Sequence, residues 1–137
     1  MQLFDTSVWA WRRNPLVDVW VRTRLLNGEL AVCAMVALEI LSGAPNRTWY
    51  EEMRDLLTGL PWVHMGSTEW SRALEVHALL EQQLGTNARR GVKHADLLIA
   101  AAAEVHDLAL VHYDQDFDVI QRVTGQRMSW VAPRGSL

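Results

Sequence analysis

Five short apolar runs set between longer amphipathic stretches constrain this chain more than any other feature. The runs are MQLF (1–4), LAVCA (30–34), PWVHM (61–65), LALVHY (108–113) and QRMSWV (126–131). Runs of this length, bounded by turn residues, read as strands, and the stretches between them carry apolar residues at helical spacing. Strands alternating with helices predict an α/β fold: a three-layer α/β/α sandwich with a mostly parallel central sheet. At 137 residues, the chain fits one domain over 1–137 with one core.

The helical stretches have recognisable ends. Asp5, Thr6 and Ser7 offer helix-start side chains directly after the first strand. Pro15 opens a helix to about Leu26, stopped by Asn27-Gly28, with Leu16, Val19, Trp20, Thr23 and Leu26 as its apolar stripe. MVALEILSG forms a third helix ending at Ser42-Gly43. In NRTWYEEMRDLLTGL, Thr48 and Glu51 fit a capping box. Ser67 to Leu84 is a long helix with Trp70, Ala73, Leu74, His77, Leu80 and Leu84 along one side. GTNARRGVKH (85–94) reads as a loop. ADLLIAAAAEVH is a helix too rich in alanine for the surface, and Asp116 to Val123 is a short helix before the last strand.

No run of 18 uncharged apolar residues occurs, so no membrane span is expected. The N-terminal MQLFDTSVW lacks a secretory signal's basic and apolar segments, and the closing PRGSL is read as native rather than as a protease-site remnant. The single cysteine, Cys33, excludes an internal disulfide, suits a small core position, and fits a reducing, cytoplasmic setting. Net charge is −3, which by itself argues against nucleic acid. Were five acids neutralised by a metal, however, 13 basic residues would face 11 acidic ones. Twelve of the basic residues are arginine, whose planar fork suits phosphate; GC-rich codon usage explains the bias equally well. The seven tryptophans are scattered and read chiefly as packing.

The chemistry concentrates in LVHYDQDFDVI (110–120). Asp114, Asp116 and Asp118 follow a strand at every second position, and carboxylates so close repel unless solvated, protonated or neutralised. Sites in parallel sheets form at strand carboxyl ends, where Asp5 also falls. Glu39 sits within MVALEIL and Asp96 within KHADLLIAAAA. Glu39 can be a surface position and Asp96 a helix N-terminal acid favoured by the dipole. Together with Asp5 and the 114–118 cluster they make four segments that bring carboxylates to converging places. Oxygen ligands without a histidine or cysteine pattern suit a hard cation such as Mg²⁺, which supports phosphodiester hydrolysis.

Competing acidic motifs fail on spacing. A calcium loop starting at Asp114 needs glycine and glutamate where Val119 and Gly125 stand. An Asp-x-Asp phosphatase needs an acid at Ser7. A receiver domain needs a lysine late in the sheet, and the only lysine is Lys93. No phosphate loop of the Walker type or zinc spacing is present.

LFDTSVW, ALEIL, HADLLIAAAA and LVHYDQDFDVI, in this order, resemble the four acidic blocks of PIN-domain nucleases, and the HYDQDFD ending resembles VapC toxins of toxin–antitoxin pairs. The resemblance implies a metal-dependent endoribonuclease with Asp5, Glu39, Asp96 and Asp114 as its acidic residues and Asp116 as a fifth. It implies one or two Mg²⁺ or Mn²⁺ ions on Asp5, Asp96, Asp114 and Asp116, with Glu39 orienting the attacking water. Thr6 and Ser7 match small hydroxyl residues that follow the first aspartate in the family, in a supporting role in which Ser7 hydrogen-bonds a ligand carboxylate or a metal-bound water; a helix cap is an equally good reading. Asp118 has no counterpart and reads as a solvated helix-start acid. The family also implies a homodimer and a small VapB-type antitoxin.

Arg12, Arg13, Arg89, Arg90 and Lys93 are candidate RNA contacts, with solvated loop positions as the plainer reading. His112 and Tyr113 read as packing residues, and His64, His77 and His106 as structural or exposed. Two other function classes stay open: a non-catalytic PIN-like module that binds RNA or protein, and a small metal-dependent phosphatase.

Overall fold

The structure is a computed structural model describing residues 1–137. Five strands form one sheet: β1 (Gln2–Phe4), β2 (Leu30–Cys33), β3 (Trp62–Val63), β4 (Ala109–His112) and β5 (Met128–Trp130). Their order is β3-β2-β1-β4-β5 and every pairing is parallel. Eight helices flank it: α1 (Thr6–Ala10), α2 (Pro15–Leu26), α3 (Ala34–Ser42), α4 (Arg47–Thr58), α5 (Ser67–Leu84), α6 (Thr86–Gly91), α7 (His94–Val105) and α8 (Asp116–Thr124). The expected α/β/α sandwich is therefore present, with a sheet that is parallel throughout.

From β1 the chain winds outward through β2 to β3. It then returns to place β4 on the other side of β1 and winds outward again to β5. The strand order thus reverses between β1 and β4, which register Gln2 on Ala109 and Phe4 on Val111. A crevice opens at the carboxyl ends of strands at such a reversal, and Asp5 and Asp114 lie just beyond those two ends.

The core explains the alanine run. Every residue from Asp96 to Ala103 in α7 is buried, and small side chains let the helix lie close to the sheet and to α5. All four residues of β2 are buried, as expected for a strand covered on both faces. Cys33 is fully buried, which raises its thiol pKa to about 11.

Several local expectations are corrected. The amphipathic stripe of α2 is corrected in part: Trp20 packs on the core as expected, but Leu16, Val19 and Leu26 are exposed, whereas Val17 is buried and Val21 and Leu25 pack on the core. Along α5, Ala73, Val76 and Leu80 are inside, but Trp70 and Leu74 face out. The α4 cap is Asn46, whose Oδ1 accepts from the Trp49 N–H at 2.9 Å, so Thr48 lies inside the helix and not at its cap. The segment read as a loop, 85–94, contains α6 and the first residue of α7. Gly85, with φ +92, stands between α5 and α6 in a conformation that favours glycine.

Candidate active site

Four segments bring acidic or hydroxyl side chains to one cleft of about 210 Å³, lined by Asp5, Thr6, Ser7, Ala10, Glu39, Lys93, Asp96 and Asp114. Each arrives for a local reason. Asp5 caps α1: its Oδ2 accepts from the Ser7 N–H at 2.8 Å. Asp96 occupies the first turn of α7, where the helix dipole favours a negative charge. Asp114 follows β4 and its Oδ1 accepts from the Asp116 N–H at 2.9 Å, which turns the chain into α8. Glu39 projects from α3, and the Thr6 hydroxyl donates to its Oε1 at 2.9 Å.

Asp96, Asp114 and Asp116 form the tightest group, each offering a carboxylate oxygen within 4.8 Å of the others. Asp5 lines the same cleft but stands outside this trio. Asp96 is 6% exposed, and its Oδ2 is buried without a hydrogen-bond partner. A buried carboxylate oxygen with no donor is costly. Burial, followed by the charges of Asp5 and Asp114, raises the Asp96 pKa to about 7. Burial likewise raises Asp5 and Asp116, with Asp114 adding repulsion to both. The Lys93 ammonium lies 3.6 Å from Asp114 Oδ2 and is itself held protonated, chiefly by Asp114 and then Asp96. An orphaned buried oxygen among three close carboxylates fits a hard divalent cation, which takes oxygen ligands.

The hydroxyls divide in role. Thr6 holds Glu39, whereas Ser7 ties α1 to β4: its Oγ accepts from the Tyr113 N–H at 2.8 Å. Beyond Tyr113 lies an aromatic group that sequence spacing did not reveal. Trp11 meets Tyr113 at 5.5 Å, Tyr113 meets Trp130 at 5.3 Å, and His112 lies between Phe117 and Trp130. His112 is a packing residue, as expected: it is buried, which lowers its pKa. Asp118 is corrected, because its Oδ1 accepts from Trp130 Nε1 at 3.0 Å and is not simply solvated.

Of the basic candidates, only Lys93 reaches the cleft. Arg89 pairs with Glu81 at 2.9 Å, Arg12 lies over the Trp9 ring at 4.7 Å, and Arg13 and Arg90 are exposed. His106 Nε2 sits 2.9 Å from Glu69 Oε1, far along α7 from the cleft. Glu69 is a buried acid that sequence reading missed; its Oε2 accepts from the Gly66 N–H at 2.9 Å. Its position three residues after Gly66, at the start of a helix, was the available signal.

Residues 3–123 match the family described as PIN domain. The chain is 38% identical to ribonuclease VapC18 of Mycobacterium tuberculosis, over 97% of this chain and 96% of that protein. It is 36% identical to ribonuclease VapC51 of the same organism, over 98% and 96%. Among solved structures, VapBC2 of Rickettsia felis, bound to a promoter DNA fragment, superposes with a TM-score of 0.70 at 18% identity, covering 94% of this chain and 97% of that one. DNA-bound VapBC of Salmonella typhimurium gives 0.70 at 15% identity, covering 96% and 100%. At these identities the structures share the fold.

Proposed function

Because the chain belongs to the PIN-domain family, we propose that residues 1–137 form one nuclease domain, the toxin of a VapBC-type pair. On this reading it is an endoribonuclease that hydrolyses RNA phosphodiester bonds and depends on Mg²⁺ or Mn²⁺. The observation that carries the proposal is the convergence of Asp5, Glu39, Asp96 and Asp114 from four segments on one cleft, with the buried Asp96 Oδ2 left without a donor. The names of the VapC relatives support RNA as substrate.

Asp96, Asp114 and Asp116 would hold the ion, with Asp5 completing the acidic wall. A divalent cation there acidifies water and stabilises charge on phosphoryl oxygens. Glu39 is exposed at the rim with one oxygen fixed by Thr6, so its carboxylate can orient the attacking water and accept its proton. Lys93, exposed and beside Asp114, meets the phosphate's negative charge. Ser7 acts on position, joining the Asp5 turn to the segment that carries Asp114.

The proposed partners are a VapB-type antitoxin and a second copy of the chain. The structural relatives are VapBC complexes. Leu16, Val19, Trp70 and Leu74 are large apolar side chains left exposed, as on surfaces that meet a partner. No helix is long and apolar enough to cross a membrane.

The test is cleavage of total RNA by the purified chain in Mg²⁺ or Mn²⁺, beside an EDTA control and Asp96→Asn. Discrete fragments that need the metal and vanish in the variant support the reading. A folded protein that binds the ion and cleaves nothing points instead to a binding module. Growth arrest on expression in a bacterial host, relieved by Asp96→Asn, tests the toxin role.

A further inference from the structure

We propose that Trp11 is a stacking platform for an unpaired nucleobase flanking the scissile phosphate, and so sets which RNA positions the site accepts; this rests on the nuclease reading above. Trp11 is the C-terminal cap of α1, the short helix whose N-terminal cap is Asp5. Ser7 and Trp11 are four residues apart and share one side of that helix, separated along its axis by about 6 Å. Both meet the same neighbour: Ser7 Oγ accepts from the Tyr113 N–H, and the Trp11 ring packs on the Tyr113 ring. The next residue is Asp114, so the segment that the indole packs on also carries an acid of the cleft, and α1 between Ser7 and Trp11 contributes Ala10 to its lining.

The geometry suits a platform better than a core residue. Trp11 is 39% exposed, the outermost member of a chain of rings running through Tyr113 to Trp130. Its contact with Tyr113 is edge-to-face at 72°, which leaves at least one indole face clear of that ring. The rings beneath are fixed: Trp130 Nε1 donates to Asp118, and Tyr113 Oη accepts from the Leu137 N–H at 3.1 Å. A ring already held in place loses little freedom when a base stacks on it. RNA is commonly recognised through splayed bases stacked on aromatic side chains, and such stacking tolerates any base because each has a π-face. Purines offer the larger face. Arg13, exposed two residues on, supplies a charge for an adjacent phosphate.

Binding separates this proposal from the nuclease reading, because it needs no turnover. The probes are fluorescein-labelled RNA 12-mers of adenosine, of uridine, and of abasic ribose-phosphate, titrated into Asp96→Asn protein. The adenosine 12-mer is expected to bind tighter than the uridine 12-mer, and both tighter than the abasic one. Adding Trp11→Ala is expected to weaken adenosine binding on the order of tenfold while leaving the abasic probe unchanged; Trp11→Phe restores most of the loss. Unaltered thermal midpoints and Mn²⁺ affinity in the Trp11 variants separate a stacking loss from misfolding. Equal affinity for adenosine and abasic probes, no binding of any probe, or indifference to Trp11→Ala overturns the proposal and assigns the exposed ring to a protein contact. A chain that binds through Trp11 but cuts no RNA keeps the platform and loses the nuclease reading.

Discussion

The ammonium of Lys93 lies 3.6 Å from Asp114 Oδ2, so the chain's only lysine is a tethered counterion for its acidic cluster. When a divalent ion occupies the cluster, that role is redundant and the like charges repel. Lys93→Met is therefore expected to tighten Mn²⁺ binding and to lower the thermal midpoint of the metal-free protein. The lysine is largely exposed, so each effect is small: about two- to fivefold in affinity, as for a screened surface pair. Calorimetric titration with Mn²⁺ and a thermal melt in EDTA measure both. Weaker metal binding in the variant would contradict the counterion role.

Asp96→Asn is expected to separate stability from activity. At pH 8 the metal-free wild type holds three close carboxylates, one with a buried oxygen that nothing donates to. The amide removes one charge and can donate a hydrogen bond, so the melting midpoint in EDTA should rise by a few degrees. Cleavage should be lost. In excess Mn²⁺ the order reverses, because the variant has lost one of three carboxylate ligands and gains less of the ion's binding energy. A melt that falls in EDTA would show that Asp96 stabilises the empty fold.

The parts of the site legible in the sequence are those fixed by strand ends and helix starts. Asp5 and Asp114 sit just past short apolar runs, and parallel topology alone brings such positions to one edge. Asp96 stands out because it opens an alanine-rich helix that has to be buried. What was not legible depends on contacts far apart in the chain. Ser7 and Tyr113 are 106 residues apart, and no periodicity predicts their bond or the Trp11–Tyr113–Trp130 rings built on it. The segment 85–94 read as a loop because it lacks an apolar stripe, although α6 and the start of α7 fall there; Lys93 itself lies between the two helices, as read. The α2 stripe misled for a related reason: Leu16, Val19 and Leu26 are apolar but face outward, and periodicity alone does not distinguish a core face from a partner face.

Thr6 and Glu39 form a pair whose two members should differ in effect. Glu39→Gln removes the proposed base and is expected to slow turnover by about a hundredfold or more. Thr6→Val keeps the side chain's shape but removes the hydroxyl that fixes Glu39 Oε1. The carboxylate remains, only less well held, so the loss should be nearer three- to tenfold in kcat with KM little changed. Thr6→Ser should recover it. Rates on an RNA substrate fixed by the cleavage mapping above decide; equal losses in Thr6→Val and Glu39→Gln would mean that Thr6 itself touches the reacting atoms.

Ser7→Ala tests the tie between α1 and β4. The Tyr113 N–H loses its acceptor at a half-buried place, which costs about 1–2 kcal/mol. Denaturant unfolding should show that loss with an unchanged slope. Cleavage should fall further than stability requires, because the Asp114 segment keeps the Asp5 N–H bond to the Val111 carbonyl but loses its tie through Ser7 at Tyr113, the residue next to Asp114. Wild-type activity in a destabilised Ser7→Ala protein would confine Ser7 to a folding role.

Metal affinity and the acidic cluster's contribution to the stability of the metal-free protein should respond to pH in opposite directions. Burial and the charges of Asp5 and Asp114 raise Asp96 to about 7, above its ordinary value of 3.8; Asp5 and Asp116 are raised as well. A raised carboxyl pKa means that the folded state holds its proton more tightly than the unfolded chain. The cluster's contribution to the stability of the metal-free fold is therefore greatest on the acid side, and is lost as pH climbs from about 4 through about 7. The ion binds only the ionised carboxylates, so below about pH 7 it has to displace protons. Mn²⁺ affinity should accordingly rise with pH up to about 7 and level above it, with proton release on binding that fades over the same interval. Isothermal titration in buffers of different ionisation enthalpy reads that release directly. In Asp96→Asn the residual dependence should move to lower pH, because the group highest in the range is gone. A wild-type affinity that is flat between pH 5 and 8 would mean that Asp96 is already ionised in the folded protein.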